Sequence, residues 1–226
     1  MATVVIGDVH GCLEEFRALI AALQPARADR IVLLGDLLDK GPDPVGVVQY
    51  AREIGAETIQ GNHEEKALRF LKGNPVKVAP TRAQQWLALS AEDVAWLRAA
   101  PWHLDLGGGW LAVHGGLLPG KSLADHDPRV AMRLRDVAPS SKGGWRLSED
   151  GGTPWTTLYD GEHNVVVGHE VRSLEAPRVD RTATGREIWS VDTGCVHGGR
   201  LSAFVVDTRE VVQVQARQVY HARREE

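Results

Sequence analysis

Five short strand-like runs in this chain each stop at an Asp, Asn or His that has a glycine beside it. They are Thr3–Ile6 before GDVHG (Gly7–Gly11), Ile31–Leu34 before GDLLDKG (Gly35–Gly41), and Glu57–Gln60 before GNHE (Gly61–Glu64). Trp110–Val113 before HGG (His114–Gly116) and Asn164–Val167 before Gly168-His169 complete the set. Apolar, β-branched runs this short suit strands buried on both faces. In an open α/β sheet a ligand site lies beyond the carboxyl ends of the strands, where side chains leaving different strands converge. Glycine there permits tight turns and close approach of the backbone to a ligand. The pattern therefore predicts an α/β fold with a polar cluster at one end of its sheet.

Helical spacing fills the gaps between the first runs. Leu13, Phe16, Leu19, Ile20 and Leu23 share one face, and a second helix is expected from Pro44 to Ile54 through Val47, Val48 and Ala51. A third is expected from Glu64 to Lys72. Ser90 and Asp93 have the form of a helix start in which a short acceptor reaches back to the cap. Ala138–Thr157 is rich in Ser, Gly and Pro and is expected to be a long loop or lid. Ile188–Asp192, Leu201–Asp207 and Val211–Val214 are expected strands, and His221–Glu226 an expected frayed tail.

Composition excludes several classes. With 226 residues, 43% hydrophobic and 25% charged residues and a mean hydropathy of −0.22, the chain reads as globular and able to bury a sizeable core. A net charge of −4 argues against a general nucleic-acid binder. Two cysteines, Cys12 and Cys195, fit a reducing compartment, and a cytoplasmic location is expected. No basic segment precedes the first apolar run, and no stretch is long enough for a membrane span.

The ordered set GDxHG, GDxxDxG, GNHE, HGG and GH resembles the metallophosphoesterases of the PPP class, within the calcineurin-like phosphoesterase superfamily. The resemblance runs from His10 to about Val214. GDLLDKGPD (Gly35–Asp43), MRLRDV (Met132–Val137) and VDTGCVHGGRLSAF (Val191–Phe204) are similar to the diadenosine tetraphosphatase and ApaH-like branch. The resemblance implies a central β-sandwich of mixed sheets flanked by helices, with a dinuclear metal site at the strand ends. It also implies one domain over 1–226, with the helical segment 64–100 and the loop 138–157 shaping the pocket.

Residue by residue, the resemblance places Asp8 and His10 on one metal and Asp36 between the two, with Asn62, His114 and His169 completing the second. An oxygen and imidazole set without thiolate suits two divalent ions, manganese first, with iron, zinc, cobalt or nickel as alternatives. A metal-bridged hydroxide would attack phosphorus in line. His63 is the implied general acid and Asp39 its orienting partner; a helix start and a turn are the plainer readings of the two. Lys40, Arg133 and Arg135 are candidate phosphate contacts. Lys40 stands where the protein phosphatases carry Arg, Glu170 where many members carry Thr, and His197 where the diadenosine branch usually carries an aromatic residue.

The expected function is hydrolysis of dinucleoside polyphosphates, diadenosine tetraphosphate above all, or of related anhydrides including capped RNA ends. A Ser/Thr protein phosphatase is the alternative, and a non-catalytic metal-binding scaffold a remote one. The expected partners are a phosphorylated small molecule or a phosphoprotein, with no membrane and no nucleic acid beyond capped ends. Cys12 and Cys195 read as buried packing residues. Trp145 and Trp155 are candidates for stacking on a nucleobase.

Overall fold

The computed structural model describes residues 2–23 and 30–223, so only part of the expected tail at His221–Glu226 lies among the described residues. In chain order, β1 (Thr3–Ile6), α1 (Leu13–Ala22), β2 (Arg30–Leu33), α2 (Pro44–Glu53), β3 (Glu57–Thr58) and α3 (Asn62–Leu71) realise the expected alternation. Next come α4 (Pro80–Leu87), α5 (Ala91–Ala99), β4 (His103–Gly107), β5 (Trp110–Val113) and α6 (Pro128–Ala131). A third group comprises β6 (Asp136–Pro139), β7 (Trp145–Ser148), β8 (Thr153–Pro154) and α7 (Trp155–Leu158). The last strands are β9 (Asn164–Val167), β10 (Arg178–Arg181), β11 (Glu187–Ser190), β12 (Arg200–Val205) and β13 (Val211–Gln215).

Two mixed five-stranded sheets face each other. The first has the order β13-β12-β1-β2-β3, with β1, β2 and β3 parallel and the other two joined antiparallel. The second has the order β10-β11-β9-β5-β4, with β11, β9 and β5 parallel and its two edge strands antiparallel. Val5, Val32 and Leu34 of the first sheet share a core with Trp110, Ala112 and Val166 of the second. Phe204 stacks on Trp189 across that layer with ring centres 4.3 Å apart.

The period of two sends alternate residues the other way. Val4 and Ile6 meet α1 and α2, while Leu111, Val113, Val165 and Val167 meet the core under β6 and α7. Each such burial contributes about 1.5–3 kcal/mol relative to exposure. Because both faces of β1 are apolar, hydrophobic alternation alone does not fix its register. Pairing from Thr3↔Arg30 to Ile6↔Leu33 brings the Gly7-Asp8 and Gly35-Asp36 ends to the same edge.

Segment 138–157 is a correction. It is not a loop: β6, β7 and β8 form a small antiparallel sheet in the order β7-β6-β8, closed by α7. Its glycines are turn residues, Gly143, Gly144 and Gly151 all having positive φ, and Val137 and Trp155 anchor it to the core. Several bounds also move. Helix α3 begins at Asn62 rather than Glu64, and β11 ends at Ser190, leaving Asp192 beyond the strand. Among the described residues no helix is long and apolar enough to cross a membrane.

Candidate active site

The carboxyl ends of β1, β2, β5 and β9 meet around Asp36. Its carboxylate oxygens lie 3.5 Å from His10 Nε2, 3.3 Å from His114 Nε2 and 3.7 Å from His63 Nε2. His10 donates its Nδ1 hydrogen to the Leu38 carbonyl at 2.9 Å, and His114 donates its own to the Leu34 carbonyl at 2.7 Å. With Nδ1 so occupied, each ring directs its Nε2 toward Asp36. Asp8 accepts the His169 backbone N–H on both oxygens at 3.1 Å, and one of them lies 3.9 Å from His10 Nε2. Asn62 Oδ1 is 3.2 Å from His114 Nε2. Ligand atoms of Asp36, His114 and His169 fall within 4.8 Å of one another, as do those of His10, Asp36 and His63.

Asp8, His10, Asp36 and His114 are buried, and their charges are strongly interdependent. Burial, reinforced by Asp192, pushes the Asp8 carboxyl well up. Burial and the neighbouring Lys40 push His10 well down, and burial and His114 do the same to His169. At Asp36 burial is outweighed by His114 and His63, which hold its carboxyl well below the usual range. At His114 burial is outweighed by Asp36, which lifts the imidazole to about 10. Lys40 Nζ sits 2.7 Å from His10 Nε2, so an ammonium stands where a cation held by His10 would be. Buried carboxylates and imidazoles packed this closely are an arrangement that a divalent ion compensates.

The backbone is bent to make this convergence. His10, Asp36, Asp39, Lys40 and His169 all have positive φ, a conformation costing such residues about 1–3 kcal/mol each. Glu64, fully buried in the first turn of α3, holds the second motif in shape. Its carboxylate accepts the N–H groups of Asp36 at 2.7 Å, Leu37 at 2.9 Å, Leu38 at 3.1 Å and Gly61 at 3.0 Å. Two glycines are required by close approach. A Cβ at Gly61 would lie 2.2 Å from Asp36 Oδ1, and one at Gly168 2.1 Å from Asp8 Oδ1.

His63 Nδ1 lies 2.5 Å from Asp39 Oδ2, and the other Asp39 oxygen accepts the Trp86 indole N–H at 2.8 Å. A cavity of about 1310 Å³ opens from Asp8, His10, His169 and Asp192 toward Lys40, Arg133 and Arg135. Leu147 and Ser148 of β7 form part of its wall, whereas segment 64–100 contributes no lining residue. That segment reaches the site through Glu64 at its start and through Trp86 and Arg82 on Asp39.

The two arginines differ. Arg133 donates to Glu65 at 2.8 Å, while the exposed Arg135 guanidinium has no side-chain hydrogen bond or ion pair among the described residues. Glu170 is paired with Arg172 at 2.8 Å, which takes up its charge. His197 lines the cavity, with Nδ1 2.6 Å from the His221 carbonyl. Trp155 is buried against the Gly116 backbone and cannot stack on a base, a correction to its expected role.

Asp192 is a buried cavity residue that lies within the VDTGCVHGGRLSAF block but is not among the candidate site residues read from the sequence. It lies past β11 in a Ser-Val-Asp sequence without the flanking Gly-Asp signal. The three remaining histidines, His103, His126 and His163, line no part of the cavity.

The sequence profile for calcineurin-like phosphoesterases matches residues 1–187. The chain is a calcineurin-like phosphoesterase. It is 32% identical to the asymmetrical bis(5'-nucleosyl)-tetraphosphatase PrpE of Bacillus velezensis, covering 99% of this chain and 96% of that protein. Identity to the Bacillus subtilis protein of the same name is 33%, over 95% and 94% of the two chains. A symmetrical bis(5'-nucleosyl)-tetraphosphatase of Aromatoleum aromaticum is 38% identical over 53% of this chain and 46% of its own.

Among solved structures, one provisionally described as a diadenosine tetraphosphatase superposes with a TM-score of 0.82 at 26% identity, covering 95% of this chain and 93% of that one. A Saccharomyces cerevisiae Ser/Thr phosphatase shares the fold at 14% identity and a TM-score of 0.58, over 100% of this chain and 81% of its own. The phosphoesterase is thus a hydrolase of a family that uses divalent metal ions, and its Asp–His clusters are of a kind that binds them.

Proposed function

We propose that this phosphoesterase hydrolyses dinucleoside polyphosphates, diadenosine tetraphosphate first among them, and that its whole length acts as one catalytic unit. The size of the cavity beside Asp36 carries this reading. At about 1310 Å³ it exceeds the roughly 300–1,000 Å³ of ordinary small-molecule sites, leaving room for two nucleosides joined by phosphates. Full-length similarity to proteins named bis(5'-nucleosyl)-tetraphosphatase supports the same substrate class.

In this reading Asp8 and His10 hold one metal, Asn62, His114 and His169 the other, and Asp36 both. Two divalent ions, manganese preferred, would supply charge stabilisation at phosphorus and a more acidic attacking water. Every other contribution comes from side chains. His63, oriented by Asp39, presents Nε2 beside Asp36 and passes a proton to the leaving oxygen. Lys40, whose Nζ lies 2.7 Å from His10 Nε2, and Arg135, which has no side-chain partner among the described residues, contact the phosphate chain. Arg133, already tied to Glu65, takes a smaller part.

Initial rates with manganese on diadenosine tetraphosphate, a capped RNA and a phosphoserine peptide test this choice. Fastest turnover of diadenosine tetraphosphate is expected. A peptide turned over faster would replace the substrate assignment with a protein phosphatase, and a faster capped RNA would move it to cap hydrolysis.

A further inference from the structure

A second group of ligand atoms lies behind the catalytic loop. Cys12 Sγ, a Glu15 carboxylate oxygen and Cys195 Sγ fall within 4.8 Å of one another. All three residues are buried, at 0%, 2% and 1% exposure. Glu15 Oε1 accepts the Arg217 backbone N–H at 3.0 Å and the Tyr220 hydroxyl at 2.7 Å. Its other oxygen, Oε2, is buried without a hydrogen-bond partner. A bare carboxylate oxygen in the interior costs at least about 1–3 kcal/mol. It belongs to a carboxylate that stands beside two thiols.

The surroundings suit an ion rather than simple packing. Cys12 occupies the N-cap of α1, yet its side chain caps no backbone N–H; the thiol makes a long 3.8 Å contact to the His10 carbonyl and a hydrogen bond with the Cys195 thiol. Arg217 and Tyr220 fix the orientation of the carboxylate, as outer partners do at metal sites. Cys195 also lines the large cavity, which provides an entry path.

We propose that Cys12, Glu15 and Cys195 form a metal site for a zinc-class divalent ion, separate from the sulfur-free cluster on Asp36. On binding, the two thiols release two protons, and the ion takes two thiolate sulfurs and one carboxylate oxygen. A zinc-class ion in such a site would take a fourth ligand, which water can supply. Cys12 follows His10 by two residues and Cys195 follows Asp192 by three, so the ion braces two arms of the catalytic pocket.

Cobalt(II) titration of the metal-free, fully reduced protein tests the site, read as near-ultraviolet thiolate-to-cobalt charge-transfer absorption. The cluster on Asp36 has no sulfur and gives no such band, so the readout is independent of catalysis. One equivalent of cobalt is expected to produce the band and excess zinc to remove it. Cys195→Ser is expected to abolish it, and Glu15→Gln to weaken binding by at least the roughly 10–100-fold seen when an outer ligand partner is lost. The wild-type protein alone decides the matter if a variant fails to fold. Absence of the band at cobalt concentrations that fill the other sites overturns the proposal, as does a band unchanged in Cys195→Ser.

Discussion

His63 and Asp39 are joined by a 2.5 Å contact between Nδ1 and Oδ2, and this pair turns the far side of the imidazole toward Asp36. Trp86 and Arg82, from α4, hold Asp39 in place at 2.8 Å and 3.5 Å. If His63 protonates the leaving oxygen, its importance depends on how badly that oxygen needs a proton. His63→Gln is expected to lower kcat on diadenosine tetraphosphate by about 10²–10⁴-fold. On p-nitrophenyl phosphate, whose phenolate leaves unaided, the loss is expected to be much smaller. Equal losses on both substrates would show that His63 acts otherwise.

Glu64 serves as the hub of the second motif by accepting four backbone N–H groups. Glu64→Gln sets an amide donor against some of those donors and leaves at least one buried N–H unpaired. The expected cost is about 1–3 kcal/mol, which at this chain length lowers Tm by about 2–4 °C per kcal/mol. A thermal melt measures it. An unchanged Tm would show that the motif holds its shape without Glu64.

Asp93 gives a pH dependence far from the catalytic centre. Burial alone would raise its carboxyl, but the Ser90 hydroxyl and N–H together with Arg52 outweigh burial and hold it below the ordinary carboxylate range. Because the folded value lies below the unfolded one of about 3.9, this stabilisation is complete above that pH and is lost as pH falls through the folded value. Melts between about pH 3 and pH 6 are expected to show a steeper acid decline for the wild type than for Asp93→Asn. The variant should start about 0.5–2 kcal/mol less stable through its weakened helix cap. Parallel curves would contradict the assignment.

The strand ends were legible because each carries its own signal: an apolar run, a glycine, then a polar residue. The physical need for those glycines is clear at Gly61 and Gly168, where the Asp36 and Asp8 carboxylates leave no space for a Cβ. The Ser90–Asp93 cap was legible for the same local reason. What escaped was long-range. The glycines of 138–157 indicate turns, but only the pairing of Val137 with Leu147 shows that strands lie between them. Glu64 reads as a helix-start residue, since its four partners are mostly more than twenty positions away. Arg133 and Arg135 look alike in sequence and differ only because Glu65 captures one of them.

The central claim is that Asp36 is shared by two metal ions on which hydrolysis depends. Manganese bound per chain and turnover of diadenosine tetraphosphate, measured together in wild type and Asp36→Asn, test it most directly. The wild type is expected to hold two manganese ions at the Asp–His cluster, and the variant to lose that metal and its activity together. Full turnover by Asp36→Asn, or undiminished manganese binding, would contradict the account.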